Sequence, residues 1–279
     1  MTFSARTVTT ASAAPAASIP SCANPDVAFV TVTYGTGPIV VEMIASLVAS
    51  LGGRDIAYEV IVVDNPHPRH PGRTARELSL FTAGARVVTP VRNLGFGGGC
   101  ELGALFARAP TLAFVNPDLE FEGGWLEPLL EQLDTDPMPS IVAPMLRNPD
   151  GTVQEVGQRV FSNGHTAAVV DPAARADYAS AACWVVRSDE HERLGGFDSD
   201  YHPAYFEDVD YALRADRRGG GTAVVSTVSV VHHRGGGAPD HTVSADEQHR
   251  VLVDAWPQLR WRQPDEFSRR SRRGSGEPA

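Results

Sequence analysis

Between Val27 and Val115 the chain alternates apolar, β-branched runs with helix-like ones. Val27–Tyr34 (VAFVTVTY), Tyr58–Val63 (YEVIVV), Arg86–Val91 and Leu112–Val115 predict strands. Ile39–Leu51 predicts a helix that stops at Gly52-Gly53, and a second is expected near Arg73–Thr82. A third opens in the glycine-rich turn Asn93–Gly99 and runs to about Arg108. Strands separated by helices must be joined by right-handed crossovers, which make a mostly parallel sheet. Ligands of such sheets gather at the carboxyl ends of the strands. Asp64, Asn93 and Asp118 all fall just past predicted strand ends, so they share one edge.

The second half has another texture. Ile141–Met145, Tyr178–Val186 and Val224–Val231 are strand-like. Asp189–Leu194 predicts a short helix closed by Gly195-Gly196, and Ala245–Trp261 a last amphipathic one. Asp208–Arg218 predicts a helix with acids at its start and arginines at its end, an order that suits the macrodipole. Just before it, Tyr205-Phe206-Glu207-Asp208-Val209-Asp210 crowds three carboxylates. Such crowding costs free energy unless a metal, a substrate proton or a helix N-terminus uses the charge.

Composition removes several chemistries. All 24 basic residues are arginine, so no P-loop, kinase-type or Schiff-base lysine exists. A formal net charge of −10 argues against a nucleic-acid binder. The glycine cluster follows the third strand rather than the first, which counts against a nicotinamide dinucleotide site. Cys22, Cys100 and Cys183 have neither metal-ligand nor redox spacing, and a reduced, cytoplasmic protein is expected. No apolar run is long enough for a transmembrane segment. Residues 1–24, rich in Ala, Ser, Thr and Pro, and the Arg-rich residues 262–279 read as disordered tails around one domain, 25–261.

The order of motifs resembles the family 2 glycosyltransferases, and within them the rhamnosyltransferase-like branch. The resemblance rests on Thr31-Val32-Thr33-Tyr34, Val62-Val63-Asp64-Asn65, Asn93-Leu94-Gly95-Phe96-Gly97 and Asn116-Pro117-Asp118. It continues through Pro149-Asp150-Gly151-Thr152, Gly195-Gly196-Phe197-Asp198, Tyr205–Asp210 and Val230-Val231-His232. It implies an α/β GT-A fold: a mixed, mostly parallel sheet flanked by helices. A Rossmann-like nucleotide-sugar half, 25–120, would precede an acceptor half, 121–261. The implied activity is transfer of a sugar, a deoxyhexose such as rhamnose being favoured, from a nucleoside diphosphate to an acceptor hydroxyl. Anomeric inversion and a divalent cation, Mg2+ or Mn2+, are implied with it. A dTDP-sugar is the favoured donor, UDP and GDP being alternatives; the acceptor is a small molecule or a glycan.

The resemblance also assigns roles. Asp208 is the expected base, with Glu207 orienting it or contacting the acceptor. Thr33, Asp64, Arg92, Asn93, Gly95 and Asn116 are expected at the nucleotide, and Asp118 and His232 at the metal, His233 being the neighbour that competes with His232. Gly95, Gly97, Gly98 and Gly99 serve either close approach of the ligand or a tight turn. Asp210 is expected to face solvent or cap its helix. The chain departs from the family at Gly35 and Glu101, where Asn is usual, and at Tyr178 and Ala181. These positions are expected to flank the sugar and acceptor pockets. Gly35 and Glu101 keep open a second reading, a non-catalytic nucleotide-sugar-binding relative that acts as a partner subunit.

Overall fold

A computed structural model describes residues 17–234 and 245–261. Its elements in chain order begin with β1 (Ala17–Ser18), β2 (Val27–Thr33), α1 (Gly37–Leu51), β3 (Tyr58–Asp64), α2 (Arg73–Phe81), β4 (Thr82–Ala83) and β5 (Arg86–Val88). They continue with α3 (Gly95–Phe106), β6 (Thr111–Val115), β7 (Leu119–Glu120), α4 (Glu127–Thr135), β8 (Ile141–Arg147), β9 (Val153–Glu155), β10 (Gln158–Val160) and β11 (Thr166–Ala168). The last are β12 (Cys183–Arg187), α5 (Ser188–Leu194), α6 (Glu207–Arg217), β13 (Thr222–His232) and α7 (Ala245–Ala255).

One sheet organises the molecule, in the order β5-β3-β2-β6-β12-β8-β13-β7, with β9 added to β8. The predicted βαβ units form its parallel half, β5-β3-β2-β6. β12 then runs antiparallel to both β6 and β8 and makes the sheet mixed. Alternate residues of β2 feed two apolar cores: Ala28, Val30 and Val32 one, Val27 and Phe29 the other. A strand buried on both faces needs apolar residues at nearly every position, and β2 and β3 have them.

The glycines of α3 serve mainly this packing. A Cβ at Gly103 would stand 2.3 Å from Val30 Cγ1, and one at Gly99 2.6 Å from Val32 Cγ1. Those contacts are far inside van der Waals distance, so α3 lies on β2 only because these side chains are missing. Gly97 lies against Phe197 and Glu207.

Three expectations change. Tyr178–Val186 is a strand only from Cys183; Tyr178 keeps a single bridge to Gln158, and the stretch between bends past Asp208. The expected tail 1–24 is ordered in its described part. Ala17–Ser18 pairs in parallel with Thr82–Ala83, and Ile19 is buried against the second core, because one apolar side chain and a free edge suffice to dock it. Residues 1–16 and the Arg-rich tail 262–279 lie outside the described residues. Finally α7 ends at Ala255, and a short 3-10 turn, Pro257–Trp261, replaces its expected last turn, since proline has no N–H to continue the ladder.

Candidate active site

A cavity of about 460 Å³ opens where β2, β3 and β6 end. Eight of the expected site residues line it: Thr33, Asn93, Gly95, Asn116, Asp118, Glu207, Asp208 and His232. Asp64 and Arg92 do not.

Its hydrogen bonds hold Asp64 away from the cavity. In register with Thr33, it turns its carboxylate sideways, accepting from Thr33 Oγ1 at 3.1 Å and from the Ala75 amide of α2 at 3.3 Å. The next residue, Asn65, takes the cavity position instead. Its Nδ2 donates to Gly95 O and its Oδ1 accepts from Leu94 N, both at 2.9 Å, so it ties the end of β3 to the glycine turn. Strand alternation makes neighbours face opposite ways, and that was the available signal for Asn65. Arg92 is exposed in the loop before Asn93.

The glycine turn is clasped by the second half of the chain. Asn93 Oδ1 accepts from Gly95 N at 2.8 Å, Phe96 N donates to Pro203 O at 2.7 Å, and His202 Nε2 meets Asn93 O at 3.2 Å. Gly95 has φ +74, and a Cβ there would stand 2.4 Å from Pro203 O. Here glycine is needed for both its conformation and its size.

The acidic hexapeptide begins with two aromatic residues in the left-handed region, Tyr205 (φ 84) and Phe206 (φ 69). Each is a conformation that a bulky L-residue adopts at a cost of roughly 1–2 kcal/mol. The turn sets the start of α6 against the cavity, so that Glu207 and Asp208 line it. Asp208 Oδ1 accepts from Val209 N at 2.8 Å and Oδ2 from Ala181 N at 3.4 Å. Desolvation outweighs these bonds and, with nearby Glu155, pushes the Asp208 carboxyl up to about 6. Glu207 is buried, and its Oε2 has no hydrogen-bond partner among the described residues. Burial and the adjacent Asp208 charge hold it well above the usual carboxylate range. Asp210 is neither solvent-facing nor a cap. It is buried, paired with Arg214 Nε at 2.8 Å, and accepts from Trp256 Nε1 at 2.7 Å. The partner indole comes from beyond α7, too far along the chain for local pattern to reveal it.

Across the cavity, the pairing of β7 with β13 sets His232 opposite Leu119 and so beside Asp118. His232 Nε2 lies 3.4 Å from Asp118 Oδ1, and both side chains are largely buried. His233 alternates outward to Glu120 Oε2, 2.9 Å away, and does not line this cavity. Among the described residues no group of three His, Cys, Asp or Glu side chains is placed to hold a metal. One carboxylate and one imidazole facing the same cavity do fit a cation whose remaining ligands are diphosphate oxygens and water.

The departures sort differently from expectation. Glu101 does not flank the cavity. Its Oε1 accepts from Phe197 N at 2.7 Å and faces His191 Nε2 at 3.0 Å, because the helix turns that position toward α5. Gly35 (φ +73) leaves space filled by the His67 ring, whose atoms approach its missing Cβ to 3.0 Å and which packs on Tyr34. Tyr178 is buried behind Asp208, whereas Ala181 lines the cavity.

A family model described as glycosyl transferase family 2 matches residues 28–195. Over 241 residues the sequence is 26% identical to the N-acetylglucosaminyl-diphospho-decaprenol L-rhamnosyltransferase of Mycobacterium tuberculosis (strain CDC 1551 / Oshkosh), covering 74% of this chain and 75% of that protein. In structure the chain is similar to GalNAc-T7, solved with UDP, GalNAc and Mn2+, with TM-score 0.67 and 15% identity. That match covers 85% of this chain but spans only 50% of the other. It is also similar to the mannosyltransferase PcManGT from Pyrobaculum calidifontis, solved with GDP-Man and Mn2+ (TM-score 0.59, 18% identity, 86% of this chain and 65% of that one). At these identities the structural likeness shows the GT-A fold. No helix among the described residues is long and apolar enough to cross a membrane.

Proposed function

From the premise that this chain belongs to glycosyl transferase family 2, as the match over 28–195 shows, we propose that it is an inverting, cation-assisted enzyme whose base is Asp208. The carrying observation is that Asp118 with His232, and Asp208 with Glu207, line one cavity.

In this reading the nucleoside of the donor lies along Thr33, Asn65, Asn93 and Gly95, near Asn116, with its diphosphate toward Asp118 and His232. The acceptor hydroxyl enters beside Asp208. Its oxygen bonds to the anomeric carbon as the bond from that carbon to the diphosphate breaks, and Asp208 takes the hydroxyl proton. One displacement inverts the anomeric carbon and needs no covalent nucleophile. The leaving diphosphate gains negative charge, yet among the described cavity residues none is arginine, and the chain has no lysine. A bound Mg2+ or Mn2+ supplies that neutralisation, and Asp118 and His232 are the side chains that would hold it. The family resemblance favours a deoxyhexose on dTDP, and the rhamnosyl relative supports the deoxyhexose. That relative's name gives a diphospho-linked sugar as acceptor, which supports a glycan hydroxyl here.

The test is release of nucleoside diphosphate from dTDP-, UDP- and GDP-sugars with Mn2+ or Mg2+ and sugar acceptors. Transfer by the wild type, and its loss in Asp208→Asn with nucleotide binding kept, is the expected result. Binding without transfer or donor hydrolysis for every donor leaves the non-catalytic partner reading.

A further inference from the structure

The turn Pro149-Asp150-Gly151-Thr152 belongs to the motif set but touches no part of the cavity. Its side chains start a hydrogen-bond relay that ends on His232. Thr152 Oγ1 donates its one proton to Asp150 Oδ1 at 2.6 Å. It can therefore only accept from Asn148, whose Nδ2 lies 2.9 Å away. That fixes the Asn148 amide, so Asn148 Oδ1 is the acceptor facing Gln154, at 2.9 Å. A second acceptor, the His232 carbonyl, faces the same Gln154 atom at 3.1 Å. An atom facing two acceptors must be the amide nitrogen. The other end of the buried Gln154 side chain is then its oxygen, 2.8 Å from His232 Nδ1. That contact is a hydrogen bond only if Nδ1 carries the proton.

We propose that Gln154 is a positioning residue that holds His232 in the Nδ1–H tautomer. The Nε2 lone pair is thereby kept toward Asp118, whose Oδ1 is 3.4 Å away. In the neutral ring two lone-pair-bearing atoms then face each other, a repulsive arrangement that a cation between them would relieve. Outer partners of this kind typically change metal affinity 10–100-fold. The inference rests on His232 as a cation ligand for its consequence, though not for the tautomer itself.

The experiment is long-range 1H–15N NMR of the imidazole in metal-free protein, at a pH where the ring is neutral. It is paired with Mn2+ titration in the presence of dTDP. Wild-type His232 should carry its proton on Nδ1. Gln154→Met should release a mixture of tautomers and weaken Mn2+ binding roughly 10–100-fold. A wild-type proton on Nε2, or an unchanged tautomer in Gln154→Met, overturns the proposal, and the wild-type spectrum decides alone if that variant does not fold. A tautomer that shifts as expected in a protein that binds no Mn2+ upholds Gln154's role and removes the cation reading of Asp118 and His232.

Discussion

The Ala181 amide donates to Asp208 Oδ2 at 3.4 Å, and both residues line the cavity. With Val209 N on Oδ1, each carboxylate oxygen has one backbone donor. A carboxylate oxygen can accept more than one hydrogen bond, so capacity for a substrate hydroxyl remains. Neutral backbone donors do not offset removal from water, which pushes the carboxyl up to about 6.

A base must be ionised to accept a proton. With the Asp208 carboxyl pushed up to about 6, transfer should rise with pH through that region and level off above it. Asp208→Asn should lose roughly 10²–10⁴-fold in kcat and the acidic limb of the profile with it. A kcat profile flat from pH 5 to 8, measured at saturating donor, would argue against Asp208 as the base.

The same raised carboxyl makes a stability prediction of opposite sense. The folded state holds the Asp208 proton more tightly than the unfolded chain, whose ordinary value is 3.8. Stability from this group is therefore full below about pH 4 and is lost as pH rises through about 6. Asp208→Asn carries no such penalty. At pH 8 it should be more stable than wild type by on the order of 1–3 kcal/mol, and the gap should close near pH 4. Differential scanning calorimetry at the two pH values reads both differences.

The strands β2, β3 and β6 were legible because burial on both faces demands continuous apolar runs, and their polar ends marked the cavity edge. Asp118 and Asp208 were legible as motif positions. Their common cavity follows from the pairing of β7 with β13, and β7 is two residues long, too short to leave a pattern. Asn65 was hidden behind the more reactive-looking Asp64, although the period of two separates them. Asp210 could not be placed without Trp256, which reaches it across 46 positions. α4 has only Leu129 and Leu133 as buried positions, a stripe too brief to stand out.

Glu101 looked like an altered sugar-pocket residue, and its contacts make it a strut between α3 and the Gly195–Phe197 turn. Glu101→Ala removes an acceptor from the Phe197 amide and a partner from buried His191. Leaving a buried donor unmade costs about 1–3 kcal/mol. The melting temperature should fall, while the donor KM of the folded enzyme stays within about a factor of two of wild type. A large KM rise at unchanged stability would put Glu101 back at the substrate.

Gly95 joins the two halves of the site, and replacing it tests that junction. Its φ of +74 costs an L-residue roughly 1–2 kcal/mol. A methyl group 2.4 Å from Pro203 O also cannot be accommodated without moving backbone, because the neighbour is a carbonyl and not a flexible side-chain end. The movement must lengthen the Phe96 N to Pro203 O bond, now 2.7 Å, and with it shift the segment that leads into Tyr205 and Glu207. Gly95→Ala should therefore lower the melting temperature and weaken nucleoside diphosphate binding together. Gly103→Ala meets Val30 in the core instead, at 2.3 Å. It should destabilise by about 1–3 kcal/mol and leave nucleotide affinity nearly intact in the molecules that fold. Equal losses of affinity in the two variants would mean that the junction at Gly95 has no special coupling to the site.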